Sequence, residues 1–132
     1  ALDTFVDKLR SALAPGPFCV WLTGSVGAGK TTTTRALLYK MGLDPSLPVT
    51  SPTFTYMNEY KIADRWYAHL DFYRAGEAFS IEDLGLLDAR DYHGVFIEWP
   101  EEVPVNPAIA PTHELTIEFV DDQTRRFHFR AR

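Results

Sequence analysis

An α/β fold is predicted for this chain by three observations. A short apolar, β-rich run, Phe18-Cys19-Val20-Trp21-Leu22, leads through a glycine-rich loop into a segment with helical spacing. A second run of the same buried type, Val95-Phe96-Ile97, stands far downstream and closes on Glu98. The last part of the chain alternates apolar and polar residues in two stretches, which reads as a C-terminal hairpin.

Each element follows in order. Asp3 to Leu13 reads as a helix, because Phe5, Val6, Leu9, Ala12 and Leu13 form one apolar stripe and Pro15-Gly16-Pro17 ends it. Phe18 to Leu22 is the first strand. Thr31 to Met41 carries Ala36, Leu37, Leu38 and Met41 at helical spacing, and Gly42 is its stop. Asp44 to Pro48 connects to the short extended pair Val49-Thr50 and the turn-like Ser51-Pro52-Thr53. Phe54 to Ile62 and Arg65 to Phe72 resemble two strands around an Ala63-Asp64 turn. Ser80 to Leu87 reads as a short helix, with Ser80 as N-cap and Glu82-Asp83 in the first turn. Gly94 to Glu98 is a second buried strand. Four prolines between Pro100 and Pro111 predict an irregular connection. Glu114 to Val120 and Thr124 to Arg130 flank Asp121-Asp122-Gln123, with Leu115, Ile117 and Phe119 on one face matched by Phe127 and Phe129.

Length and composition limit the function classes. A chain of 132 residues is expected to form one domain over 1–132 with a real core, and 45% hydrophobic residues argue against disorder. One cysteine, Cys19, excludes an intrachain disulfide framework and fits a small buried apolar role. There is no long apolar run and no signal peptide, so no membrane association and a cytoplasmic location are expected. A net charge of −5 argues against direct, non-specific nucleic-acid binding. Arg125, Arg126, Arg130 and Arg132 are a local exception. They read as a charged, aggregation-protected edge strand or as a nucleic-acid patch, the former being the commoner origin of such a run.

The loop carries the chemistry. Gly24-Ser25-Val26-Gly27-Ala28-Gly29-Lys30-Thr31 fits G-x-x-x-x-G-K-[ST], the phosphate-binding loop. Gly24 and Gly29 let the backbone curl so that consecutive N–H groups point into one anion-sized hollow. Lys30 reaches the β/γ-phosphates as a point charge, and the Thr31 hydroxyl can ligate Mg²⁺. The following helix adds its positive N-terminal end.

A phosphate loop needs a carboxylate for the Mg²⁺ shell and a group that orients or deprotonates water. Asp71 stands near the end of a predicted strand, on one face with His69 and Tyr73. It can hold Mg²⁺ directly or through water, or be a surface carboxylate. Glu98 closes its apolar run, where a carboxylate suits a general base or simply caps the strand. Thr53 follows Pro52 in a loop from which a threonine can complete a Mg²⁺ shell while triphosphate is bound, although a Ser-Pro-Thr turn is often only a turn. No Asn-Lys-x-Asp guanine-reading element, dinucleotide fingerprint or arginine-rich lid is visible. Arg35, Arg74 and Arg90 are candidate charge-stabilising residues, unranked by sequence, and such an arginine can also arrive in trans.

Four blocks in order carry a resemblance: Gly24 to Thr32, Ser51-Pro52-Thr53-Phe54, His69-Leu70-Asp71-Phe72-Tyr73-Arg74, and Ile97-Glu98-Trp99-Pro100-Glu101. Through them the chain resembles the TsaE (YjeE-type) ATPases of bacterial tRNA threonylcarbamoyladenosine biosynthesis. The first block is generic, and the other three together are specific. The resemblance implies a P-loop NTPase-like three-layer sandwich with a mainly parallel sheet extended by antiparallel strands. It implies a protein that binds ATP and Mg²⁺ through residues 24–32, Gly24, Ser25, Val26, Gly27, Ala28, Gly29, Lys30, Thr31 and Thr32, and hydrolyses ATP slowly alone. It further implies action with TsaB and TsaD in modifying adenosine 37 of tRNAs that read codons starting with A, so that tRNA is met only indirectly. ATP binding and hydrolysis reset or license the transferase; the ATPase does not transfer the carbamoyl group itself. By position, Lys30 and Thr31 match the family's phosphate and Mg²⁺ residues, Asp71 its Mg²⁺-associated aspartate and Glu98 its catalytic glutamate. Thr53 matches a switch-like threonine and Trp99 a tryptophan beside the glutamate. Where the family's loop usually begins Gly-Asp-Leu-Gly, this chain has Ser25 and Val26. The backbone cradle does not depend on those side chains, but any role of the aspartate in placing water or a partner is weakened.

On the combined reading, Thr31 and Asp71 hold Mg²⁺ and Glu98 orients water, with Thr53 and Glu98 as further candidate metal ligands. Two other classes share the loop. A small-molecule kinase would need an acceptor pocket and a lid. A nucleotide-dependent binding module would use ATP only to set its affinity for a partner.

Overall fold

The computed structural model describes residues 2–13, 16–52, 56–75, 81–84 and 88–132. Helices α1 (Leu2–Leu13) and α2 (Lys30–Met41) accompany strands β1 (Phe18–Thr23), β2 (Met57–Ile62), β3 (Arg65–Asp71), β4 (Gly94–Glu98), β5 (His113–Asp121) and β6 (Thr124–Ala131). The strands form one sheet in the order β2-β3-β4-β1-β5-β6. The inner four are parallel, and β2 and β6 pair antiparallel at the two edges. A mainly parallel sheet extended by antiparallel strands was the expectation, and the sheet has that form.

Inner parallel strands are covered on both faces, which is why β1 and β4 read as continuous apolar runs. Side chains alternate along β1. Phe18, Val20 and Leu22 pack with Val6 and Leu9 of α1 and Leu37 and Leu38 of α2. Cys19 joins Leu70, Val95, Ile97 and Ile109 on the opposite face. Both helices therefore lie on one face, and connections including the 3-10 turns Ala89–Asp91 and Pro107–Ile109 cover the other.

Boundaries differ from the sequence reading in places. The second hairpin begins at Met57, and residues 53–55, with Thr53 and Phe54, lie outside the described set. The predicted helix at 80–87 is a 3-10 turn over Ile81–Leu84; Ser80 and residues 85–87 lie outside the described set. The proline-rich stretch holds two 3-10 turns, Pro100–Glu102 and Pro107–Ile109, each with proline in its first positions. Proline's fixed φ and missing N–H suit a helical first turn and prevent its extension. β6 is an edge strand, and Arg126 and Arg130 on it, with Arg132 just past its end, meet carboxylates across the hairpin: Arg130 and Arg132 on Glu114 at 2.7 and 2.5 Å, and Arg126 on Glu118 at 3.5 Å. No helix among the described residues is long and apolar enough to cross a membrane.

The parallel register sets the site. Leu22 and Asp71 both stand opposite Glu98. The loop after β1 and the carboxylates ending β3 and β4 thus emerge at one edge of the sheet, the carboxyl edge at which open α/β sheets bind ligands.

Candidate functional site

The loop from Gly24 to Gly29 is shaped by glycine where side chains cannot go. Gly24 has φ of +141°, and a Cβ there would lie 2.3 Å from the Ile117 carbonyl oxygen of β5. Gly29 precedes α2 with φ of +110°. The Ala28 N–H turns inward to Ser25 O at 3.1 Å. The N–H groups of Gly27, Gly29, Lys30 and Thr31 have no acceptor among the described residues. Unpaired amides at a helix N-terminus form an anion site.

Lys30 Nζ curls over the loop, donating to Gly24 O at 2.7 Å and Ser25 O at 3.0 Å. It also sits 4.2 Å from the centroid of the Trp99 ring, which leans on Tyr73. Burial pushes the Lys30 ammonium below its ordinary value, and Glu98, Glu101 and Asp71 pull it back up. A phosphate would favour its charged form further. Trp99 occupies the left-handed region (φ 60°), a conformation costing about 1 kcal/mol or more that delivers the ring to the lysine.

The carboxylates occupy different environments. Glu98 is almost fully buried. Its two oxygens accept from the Thr31 hydroxyl at 3.0 and 2.8 Å, and Oε2 lies 2.5 Å from His69 Nε2. Asp71 accepts from Ser51 Oγ through one oxygen and from the Tyr73 N–H at 2.9 Å through the other. Lys30, Thr31, Ser51, Asp71, Glu98 and Trp99 line one cleft of about 310 Å³.

The donor set suits a phosphate accompanied by a hard cation. Thr31 gives its hydroxyl hydrogen to Glu98, so its oxygen lone pairs stay open to a metal. Among the described residues no group of three or more His, Cys, Asp or Glu forms a metal site alone. Mg²⁺ requires none, since it commonly takes one or two carboxylates with substrate phosphates and water.

Of the sequence candidates, the structure brings Lys30, Thr31, Asp71 and Glu98 together, with Val26, Gly27, Gly29 and Thr32 on the same cleft. Thr31 contacts Glu98, whereas the oxygens of Asp71 are engaged by Ser51 and Tyr73. Thr53 lies outside the described residues. Arg35 donates to Val49 O at 2.9 Å and Arg90 pairs with Asp88 at 2.7 Å. Two residues were not assigned roles from sequence. His69 was placed on the Asp71 face, and that alternation was its signal. Arg125, which the sequence groups with a charged edge strand or a nucleic-acid patch, donates its guanidinium to Ala28 O at 3.1 Å.

This fold and loop define an α/β protein of the phosphate-loop class. The family model described as threonylcarbamoyl adenosine biosynthesis protein TsaE matches residues 1–128. The chain is 36% identical over 121 residues to the Haemophilus influenzae tRNA threonylcarbamoyladenosine biosynthesis protein TsaE, covering 89% of this chain and 73% of that one. It is 32% identical over 128 residues to the Aquifex aeolicus protein of the same name, covering 94% and 86%. The crystal structure of Bacillus subtilis YdiB superposes with a TM-score of 0.62 at 24% identity, over 98% of this chain and 78% of that one. The chain belongs to the TsaE family.

Proposed function

We propose that this chain is a Mg²⁺-dependent, slowly hydrolysing ATPase that serves tRNA threonylcarbamoyladenosine biosynthesis in the cytoplasm together with TsaB and TsaD. Family membership and the names of its relatives support the pathway. The observation that carries the ATPase reading is the Thr31–Glu98 hydroxyl–carboxylate pair beside Lys30, at the mouth of a loop with unpaired amides.

In this reading the loop amides and Lys30 bind the β- and γ-phosphates, residues 24–32 forming the cradle. Lys30 leaves its two loop carbonyls for phosphate oxygens. Mg²⁺, when bound through Thr31 with Glu98 and Asp71, supplies charge neutralisation to the phosphates. Thr53 is a further candidate for that shell. Glu98 holds the Thr31 hydroxyl in one rotamer and orients the attacking water, while Trp99 and Tyr73 screen the lysine side of the cleft. The acidic net charge fits contact with tRNA through partners rather than directly.

Phosphate release from ATP with Mg²⁺, with and without TsaB and TsaD, tests this reading. Turnover should be slow alone, rise with the partners and vanish in Lys30→Ala. Glu98→Gln should bind ATP and hydrolyse it slowly. Turnover that ignores the partners or survives loss of Lys30 would sink the proposal.

A further inference from the structure

Ser51 lines the cleft that holds Lys30, Thr31, Asp71 and Glu98. The segment carrying it is tied down on both sides. Val49 is buried, and its carbonyl accepts from Arg35 of α2 at 2.9 Å. The Thr50 carbonyl accepts from the Asn58 side-chain amide of β2 at 3.3 Å, and the Pro52 carbonyl from the Tyr56 N–H at 2.8 Å. Bonds at 49, 50 and 52 fix the backbone around Ser51. Its hydroxyl is thereby delivered to one place, where it donates to Oδ2 of Asp71.

We propose that Ser51 is a positioning residue that sets the cation preference of this cleft, fitting Asp71 to Mg²⁺ and against Ca²⁺; the inference rests on the ATP and Mg²⁺ reading of the site. Each of the four oxygens of Glu98 and Asp71 already accepts a hydrogen bond within the chain. Glu98 takes the Thr31 hydroxyl on both oxygens and His69 Nε2 on Oε2. Asp71 takes the Tyr73 N–H on Oδ1 and the Ser51 hydroxyl on Oδ2. A carboxylate oxygen shared with a donor has one lone pair fewer for a cation. Ca²⁺ takes about six to eight oxygens and draws readily on both oxygens of one carboxylate, whereas Mg²⁺ takes few carboxylate oxygens and keeps several waters. Asp71, held by two donors, suits the second demand and resists the first. The Tyr73 donor is a backbone N–H, so Ser51 is the side chain that decides whether Oδ2 is engaged. Ser51 is exposed, and removing its hydroxyl leaves no core cavity.

Calorimetric titration with ATP alone, with ATP and Mg²⁺, and with ATP and Ca²⁺ tests the proposal. The unmodified chain should bind ATP more tightly with Mg²⁺ than with Ca²⁺. Ser51→Ala should cut that preference about fivefold and leave cation-free ATP within about twofold. Ser51→Thr keeps a hydroxyl and should keep the preference. Cation-free binding reports on the phosphate loop itself and so controls for folding. An unchanged preference in Ser51→Ala, or an equal loss in Ser51→Ala and Ser51→Thr, overturns the role of Ser51 and leaves the ATP reading standing. Loss of cation-free binding in Ser51→Ala overturns it too, because the residue would then be structural. Equal affinity with Mg²⁺ and Ca²⁺ in the unmodified chain has the same consequence. No gain from Mg²⁺ over cation-free ATP in the unmodified chain overturns the Mg²⁺ reading of the site and this inference with it.

Discussion

His69 Nε2 lies 2.5 Å from Glu98 Oε2, while the other imidazole nitrogen, Nδ1, is fully buried and has no partner among the described residues. The hydrogen bonds assign the ring hydrogen to Nε2, donating to the carboxylate. The unpaired atom at Nδ1 is then a lone pair rather than a buried N–H. Glu98 is consequently held from both sides, by the imidazole and by the Thr31 hydroxyl.

That relationship predicts a positioning role for His69. His69→Leu should reduce ATP turnover about tenfold with little change in KM, because Glu98 loses one of the two groups that aim it. His69→Gln places an amide N–H near the Nε2 position and should restore much of the loss. Steady-state kcat and KM for both variants check this. Equal damage in the two would mean that the ring matters only for packing.

Arg125 is predicted to set the loop's donor geometry. A trans peptide points its C=O and N–H in opposite directions. The Ala28 carbonyl faces Arg125, so the Gly29 N–H is aimed away from it, toward the loop mouth. Arg125→Ala should weaken tripolyphosphate binding about tenfold, and Arg125→Lys should not restore it, because an ammonium lacks the guanidinium's fork. Calorimetry reads both. Unchanged affinity would show that the glycines alone hold the loop.

Gly24→Ala should destabilise the fold by about 1–3 kcal/mol, since the new Cβ meets backbone 2.3 Å away that cannot swing aside. Urea unfolding measures it. An unaltered midpoint would mean that β1 and β5 separate readily at this point.

Cys19 should resist thiol reagents in the native state. Burial raises its thiol from 9.0 to about 12. Its protonated form is favoured in the folded chain, so its contribution to stability is full below pH 9 and is lost as pH rises toward 12. Labelling at pH 8 should follow the rate of opening and accelerate only with denaturant. Stability of Cys19→Ala should fall less steeply across the alkaline window.

Local stretches were legible because their causes are local. Phe18 to Leu22, the loop and Leu37-Leu38 sit within one short span, so a strand, an anion cradle and a helix could be read as one unit. The terminal hairpin was legible from its period of two. The short helix read over Ser80 to Leu87 is a 3-10 helix over Ile81–Leu84, and its remaining residues lie outside the described set, so cap preferences marked the place but not the helix type. Arg125 was opaque for another reason: its neighbours are edge-strand arginines, and alternation does not say which guanidinium reaches a loop 97 residues earlier in the chain.

By itself the sequence determined the phosphate loop, the inventory of carboxylates at strand ends and the alternation of strands with helices. These depend on backbone conformation and apolar periodicity, which short segments encode. Tertiary structure alone decided which carboxylate meets Thr31, that His69 braces it from 29 residues away, and that Arg125 reaches the loop. The sheet order β2-β3-β4-β1-β5-β6 makes those choices, because parallel pairing sets the ends of β3 and β4 beside the loop after β1, β5 brings β6 next to that loop, and spacing along the chain carries no record of that order.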